Sequence, residues 1–228
     1  MMKKSLNYFV NSVLAGAMIA FGGTVYLCCA SLPNGSVVGS FLFSLGLLTV
    51  VARGYDLYTG KIGYLSFESP YQKTPPTNPR QAPLYFPIII LGNFVGTAAV
   101  ALAFRCTRAF DALPTDILAT TGEKLTRLQL MCQAKLNDTP LSIFLLACAC
   151  GAMMFLAVDG YKKTKSWLFV ILPVMVFILC GFEHCVANMF YFWAADCWDL
   201  HAFAYLALMI LGNAVGALLF SKTARACF

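Results

Sequence analysis

No Asp, Glu, Lys or Arg occurs between Ser5 and Val51. A membrane crossing takes about 20 mostly apolar residues, so this run is too long for one. The turn-forming Leu32-Pro33-Asn34-Gly35 divides it. The pattern predicts a first helix over about 6–30 and a second from about 37. Further apolar stretches cover about 81–104, 139–158, 166–193 and 200–220. The fifth is interrupted by Glu183-His184, with uncharged residues on both sides. Two connections are long: 60–80, rich in Pro and polar residues, and 105–138.

Composition moves the reading from apolar to membrane-embedded. The 228 residues are 60% hydrophobic and 11% charged, whereas an ordinary soluble domain is about a quarter charged. The fold class expected is an all-α membrane protein, a single transmembrane domain over 1–228. Six crossings put both termini on one side. That side would carry Lys3, Lys4, Lys61, Lys73, Arg80, Lys162, Lys163, Lys165, Lys222 and Arg225. Arg105, Arg108, Lys124, Arg127 and Lys135 would lie opposite. The larger positive set predicts cytoplasmic termini. It also accounts for the net charge of +6 without a nucleic-acid face. Lys3-Lys4 before an apolar run imitates a signal peptide, but no good cleavage site precedes Pro33 and the run is too long.

Ten cysteines suggest a disulfide framework only in a small secreted domain. Most here fall in predicted spans, where Cys acts as a small apolar residue. No metal-ligand spacing occurs and no cofactor is implied. Cys106, Cys132 and Cys197 fall near one face, which leaves a bridge among them open.

Leu91-Gly92-Asn93-Phe94-Val95-Gly96 recurs as Leu211-Gly212-Asn213-Ala214-Val215-Gly216. Each copy alone reads as a helix contact, with Gly92 and Gly212 allowing close approach and the Asn bonding across. Each copy also closes a set of three spans, about 6–105 and 135–220. An odd number of spans per unit inverts the second unit in the membrane, and such repeats place a site near the midplane on broken helices. The breaks expected are 53–60 in helix two and 181–188 in helix five. Irregular backbone at membrane depth survives only inside protein or along a cavity. An ionisable His184 there marks a pathway or a packed interior.

Gly181-Phe182-Glu183-His184-Cys185-Val186-Ala187-Asn188-Met189-Phe190 resembles the fifth-helix motif of the formate/nitrite transporter family. Asp56-Leu57-Tyr58-Thr59-Gly60, the preceding Phe43-Ser44-Leu45-Gly46-Leu47, Lys135-Leu136-Asn137-Asp138-Thr139 and both Gly-Asn segments fit as well. The resemblance covers about 6–220. It implies an aquaporin-like six-helix protomer of two inverted repeats, assembled as a homopentamer in a bacterial-type inner membrane. It implies passage of small weak-acid anions: formate first, with nitrite or hydrosulfide as alternatives. Leu57 and Tyr58 would form one constriction; Leu47, Phe177 and Phe43 would form the other. His184 and Thr59 would lie between them, with Asn188 on the path. Lys135, opening the fourth helix, would draw anions into the outer vestibule, and Asn93 and Asn213 would brace the breaks. Desolvation in the narrow part would favour the neutral acid, and His184 is suited to proton exchange.

Tyr58 and Lys61 depart from the family pattern, adding a hydroxyl at the constriction and a charge near the inner mouth. Cys185 and Gly151 stand where Ser and Asn are more usual. Glu183 is expected to be a structural acceptor, serving the adjoining backbone or a neighbouring protomer. Asp56 reads as a loop or cap residue and His201 as interfacial. Trp193 and Trp198 read as belt aromatics, and Phe190-Tyr191-Phe192 as lipid- or subunit-facing. A membrane enzyme is disfavoured, because only two His occur and no carboxylate cluster accompanies them. A neutral-solute channel would need paired Asn-Pro-Ala motifs, which are absent. The leading segment Met1–Ser5 is too short to suggest a pH gate.

Overall fold

The computed structural model describes residues 2–29, 32–66, 82–111, 113, 115–117 and 124–226. Within them the chain is mostly helical. Helix α1 spans Met2–Cys29 and α2 Gly35–Arg53, separated by a turn in which Asn34 adopts a left-handed φ of 56°. A one-turn helix α3, Tyr58–Lys61, follows a break and continues as a 3-10 turn over Ile62–Ser66. Helix α4 covers Ala82–Arg105, α5 Arg127–Leu136, α6 Pro140–Thr164 and α7 Leu168–Leu179. After a second break come α8, Cys185–Ala195, and α9, Leu200–Ala226. Most of the connection predicted over 60–80, with Lys73 and Arg80, lies outside the described residues.

Five of these helices (α1, α2, α4, α6 and α9) are long and apolar enough to cross a membrane, by length and composition. Helices α7 and α8 have 12 and 11 residues. At about 1.5 Å per residue neither covers a hydrocarbon layer of about 30 Å alone. The predicted fifth span is therefore two half-length helices in series. The chain is an integral, multi-pass membrane protein.

The connection predicted over 105–138 holds more structure than a loop. Strands β1, Thr115–Ile117, and β2, Lys124–Thr126, pair antiparallel. Thr126 then starts α5 through a capping box. Its hydroxyl accepts from Gln129 N at 3.2 Å, while the Gln129 side chain accepts from Thr126 N at 2.8 Å. This reciprocal cap satisfies two donors that a helix start leaves orphaned. As a result Lys135 lies in the last turn of α5 rather than opening the next helix. Helix α6 has its own start, with Pro140 after a Thr139 cap that accepts from Ser142 N at 3.3 Å.

Two tight pairs, α1 with α4 and α6 with α9, organise the rest. Glycines let the backbones touch. A Cβ on Gly96 would strike the Val13 carbonyl, and one on Gly216 would strike the Cys148 carbonyl. Gly16 lies against the Asn93 backbone as Gly151 lies against that of Asn213. Gly92 meets Ser12, and Gly212 meets Ala147. The contacts of the first pair recur, position for position, in the second.

Helix α8 is enclosed by α1, α4, α5 and α9. Phe190, Tyr191 and Phe192 are consequently buried in the chain's own core, at 0%, 6% and 0% exposure. The expected lipid- or subunit-facing surface there is corrected: a short helix among four others has no free face. Trp193 and Trp198 pack edge to face on each other and on Phe94. Both indole Nε1 atoms are buried without a hydrogen-bond partner among the described residues, unlike belt aromatics, whose polar edges reach the interface. Exposed apolar side chains lie on the long helices, among them Leu45, Leu84, Leu141, Leu211 and Leu219, and on α7, where Leu172 and Leu179 are exposed.

The glycine contacts generate a prediction. Gly216→Ala and Gly96→Ala should each force their helix pair apart and destabilise the fold by about 1–3 kcal/mol. Thermal unfolding in detergent measures this.

Candidate functional site

Both breaks are built by the same local code. Helix α2 ends in Gly54 (φ 73°), and the turn after α7 contains Gly181 (φ 67°), backbone conformations that favour glycine. The next N–H reaches back five residues in each case: Tyr55 N to Val50 O at 2.9 Å, and Phe182 N to Phe177 O at 2.8 Å. These bonds occupy helix-end carbonyls. Then come an acid, Asp56 or Glu183, and an extended N-cap, Leu57 (φ −96°) or His184 (φ −94°). The Gly-aromatic-acid-cap order can be read from the sequence in both places.

An asparagine satisfies each break. Asn93 Oδ1 accepts from Tyr58 N at 3.0 Å, while its Nδ2 donates to Ser12 O at 2.8 Å and Asp56 O at 3.0 Å. Asn213 Oδ1 accepts from Cys185 N at 2.9 Å, while its Nδ2 donates to Ala147 O at 2.8 Å and Glu183 O at 2.7 Å. Buried backbone groups without water need such partners. The glycines flanking each Asn bring its helix close enough to reach.

His184 is 2% exposed and caps α8. Its Nδ1 accepts from Ala187 N at 3.0 Å. The proton of the neutral ring therefore sits on Nε2, which lies 2.8 Å from Thr59 Oγ1. Thr59 accepts from the imidazole and keeps its own hydroxyl hydrogen to offer elsewhere. Phe177 stacks on the imidazole at 5.5 Å and meets Phe43 edge to face at 5.8 Å. Leu47, Leu57 and Tyr58 are buried close by in sequence to these groups. The Tyr58 hydroxyl donates to Ile210 O at 3.1 Å, and the ring meets Phe86.

Lys135 is not a bare cation. Its Nζ donates to both oxygens of Glu183, at 2.9 and 2.8 Å. Asn188 Nδ2 donates to the same carboxylate at 2.6 Å. The expected partners of Glu183, adjoining backbone or a neighbouring protomer, are replaced by these two side chains. The reason is that α5 lays Lys135 across the break. A cavity of about 160 Å³ lies here, lined by His184, Lys135, Asn188, Phe177, Tyr26 and Tyr191 among others.

A matching ionic knot at the other break escaped the sequence reading. Asp56 accepts from Lys61 at 2.9 Å and from the Tyr85 hydroxyl at 2.9 Å. Lys61 follows Asp56 by five residues, as Asn188 follows Glu183, and the lysine side chain is 7% exposed. Asp56 lies in the break, as expected of a loop residue, and is in addition the acceptor of a buried ion pair. Spacing on an intact helix gave no hint, because the break sets this geometry. Elsewhere, His201 Nε2 lies 2.8 Å from Leu136 O. Asp196, in the α8–α9 link, pairs with Arg105 at 2.8 Å. The guanidinium holds the Asp196 carboxyl below its usual range. That pair is intact at neutral pH and fades only as pH falls through the lowered value. No cluster of metal-ligating side chains occurs among the described residues.

Two substitutions test this scaffold by thermal unfolding. Asn213→Ala strands two backbone groups of the break, Cys185 N and Glu183 O, and should cost about 1–3 kcal/mol for each left unpaired. Glu183→Gln leaves the Lys135 charge uncompensated and should cost about 3–5 kcal/mol, much of it regained by adding Lys135→Met.

Comparison with known proteins gives the family of the chain. The chain is 30% identical over 198 residues to "Formate channel FocA" of Haemophilus influenzae, covering 82% of this chain and 66% of that protein. It is 26% identical over 229 residues to "Nitrite transporter NirC" of Escherichia coli, covering 94% and 81%. Among solved structures, an "FNT family ion channel" superposes with a TM-score of 0.81 at 23% identity, covering 97% of this chain and 90% of that one. A "Pentameric formate channel with formate bound" superposes with a TM-score of 0.74 at 23% identity, covering 99% and 97%. The family model described as "Formate/nitrite transporter" matches residues 1–226. The chain therefore belongs to the formate/nitrite transporter family, a family of channels and transporters and not of enzymes.

Proposed function

We propose that the chain conducts small monovalent anions of weak acids, with formate as the leading substrate. The observation that carries this reading is the His184–Thr59 pair, adjoining the Lys135–Asn188 cavity and flanked by Phe177, Phe43, Leu47, Leu57 and Tyr58. In this proposal the two breaks belong to inverted three-helix repeats of an aquaporin-like six-helix protomer. Five protomers assemble with their exposed apolar faces toward lipid or one another. Both termini lie in the cytoplasm, and the membrane is of the bacterial inner type. The formate-bound pentameric neighbour supports assembly and substrate alike.

The geometry suggests a division of labour. Lys135 spends two of its three N–H donors on Glu183 and directs the third at an incoming anion. The adjacent carboxylate offsets its charge, so the anion is guided without being trapped. Past the cavity the apolar rings penalise a bare charge, and the neutral acid crosses. The neutral His184 ring holds its single proton on the side of Thr59, so it is not loaded to protonate the substrate. The proton comes from water in the cavity, while the Thr59 hydroxyl and Asn188 Oδ1 hydrogen-bond the passing acid. Nitrite is the second reading, favoured by the NirC relative, whose match covers 94% of this chain. Hydrosulfide fits the same weak-acid scheme, and a neutral-solute channel is more distant.

Proteoliposomes with a pH gradient test this. Acidifying the entry side should speed formate uptake. His184→Ala should lower it by about an order of magnitude, the effect of ~1.4 kcal/mol at the barrier. Chloride or sulfate crossing as fast as formate would overturn the weak-acid scheme. Parallel nitrite and hydrosulfide fluxes rank the substrates.

A further inference from the structure

Two thiols meet beside the cavity and take no part in the proposed anion path. Cys132 is buried on α5, three residues before Lys135. Cys197 is half-buried in the link between α8 and α9. Their sulfurs lie on consecutive carbonyls of α8: Cys132 Sγ at 3.6 Å from Tyr191 O, and Cys197 Sγ at 3.8 Å from Phe192 O. Consecutive carbonyls of a helix point the same way along its axis, so both sulfurs lie on one patch of α8, close enough for each thiol to act electrostatically on the other. The backbone fixes both ends. Helix α5 packs on α8, and Cys197 N bonds to Phe192 O at 3.2 Å. Met131 and Lys135, on either side of Cys132, line the cavity.

We infer that Cys132 and Cys197 are a disulfide-forming pair, and that closing the bond pins α5 across the cavity containing His184. The two thiols have unequal roles. The adjoining Cys132 draws the Cys197 thiol below its ordinary range, against the opposing effects of burial, Asp199 and Asp196. The adjoining Cys197 and burial push Cys132 up, with Lys135 acting the other way. Cys197, the more accessible, supplies the first thiolate. It attacks a sulfur of an external disulfide such as oxidised glutathione, forming a mixed disulfide and releasing one glutathione thiolate. Cys132 then gives up its proton, attacks the Cys197 sulfur and expels the glutathione still bound there. Two protein thiols and one external disulfide become one protein disulfide and two external thiols. Cys106, exposed at the end of α4, has no such partner geometry and serves as the internal control.

The full chain, purified in detergent, is treated with oxidised glutathione, blocked with N-ethylmaleimide and digested for peptide mass spectrometry. The expected result is a peptide pair linked through Cys132 and Cys197, with both sites losing maleimide and dithiothreitol restoring it. Cys106 should remain labelled. Cys197→Ser should leave no cross-link to Cys132. Amide hydrogen exchange across α5 should slow severalfold in the linked protein. Retention of label at both thiols, a glutathione adduct that never resolves, or a link formed through Cys106 would overturn the pairing. Unchanged exchange in α5 of the linked protein would overturn the pinning. The wild-type chain carries these readouts, so a poorly folded variant does not decide the result. None of them uses transport, and the pairing stands or fails apart from the substrate reading.

Discussion

The structure depends on satisfying the backbone of two interrupted helices away from water. Each interruption exposes a donor at the start of the next helix and a carbonyl before it. In a low-dielectric interior these cannot be left open. Asn93 and Asn213 each close that donor and that carbonyl with a single side chain, which is also anchored on a carbonyl of a neighbouring helix, Ser12 O or Ala147 O. That reach requires the helix bearing the Asn to touch its partner, and the glycines around it permit the contact. Close helix pairing, the breaks, and the placement of Leu57 and His184 therefore form one coupled arrangement.

Charge follows the same logic. A carboxylate at each break would be untenable alone, and each is paired with a lysine and one further donor: Lys61 and Tyr85 on Asp56, Lys135 and Asn188 on Glu183. Pairing of this kind adds little stability over an apolar substitute but penalises loss of either member. It also keeps each break close to electroneutral. Under the proposed function, lysine donors can then stand beside the anion path without holding the anion so strongly that it cannot leave.

Much of this was legible in the sequence. The span pattern, both breaks and the two asparagines follow from apolar run lengths, turn residues and the recurring Gly-Asn segment. The resemblance named Thr59, Lys135, Phe43, Leu47 and Phe177 as site residues. What failed depended on long-range packing. Lys135 reads as a helix start in the sequence because the polar connection hides the Thr126–Gln129 cap of a further helix. Phe190–Phe192 read as an outer surface because an all-apolar helix gives no periodic clue to which neighbours enclose it. The Asp56–Lys61 pair spans a break, where the three- and four-residue contacts of a helix do not apply. The unpartnered indole nitrogens of Trp193 and Trp198 have no physical account in the contacts around them.

Leu57 and His184 fill the same slot: an extended residue whose backbone neighbours are tied down by asparagine on the adjoining helix. In one half the slot holds a hydrocarbon, in the other an imidazole, and the supporting frame is the same. Under the proposed conduction, scaffold and selectivity are thus carried by different atoms. The slot then behaves as an interchangeable socket, in which a substitution changes what a permeant meets while the surrounding architecture stays put.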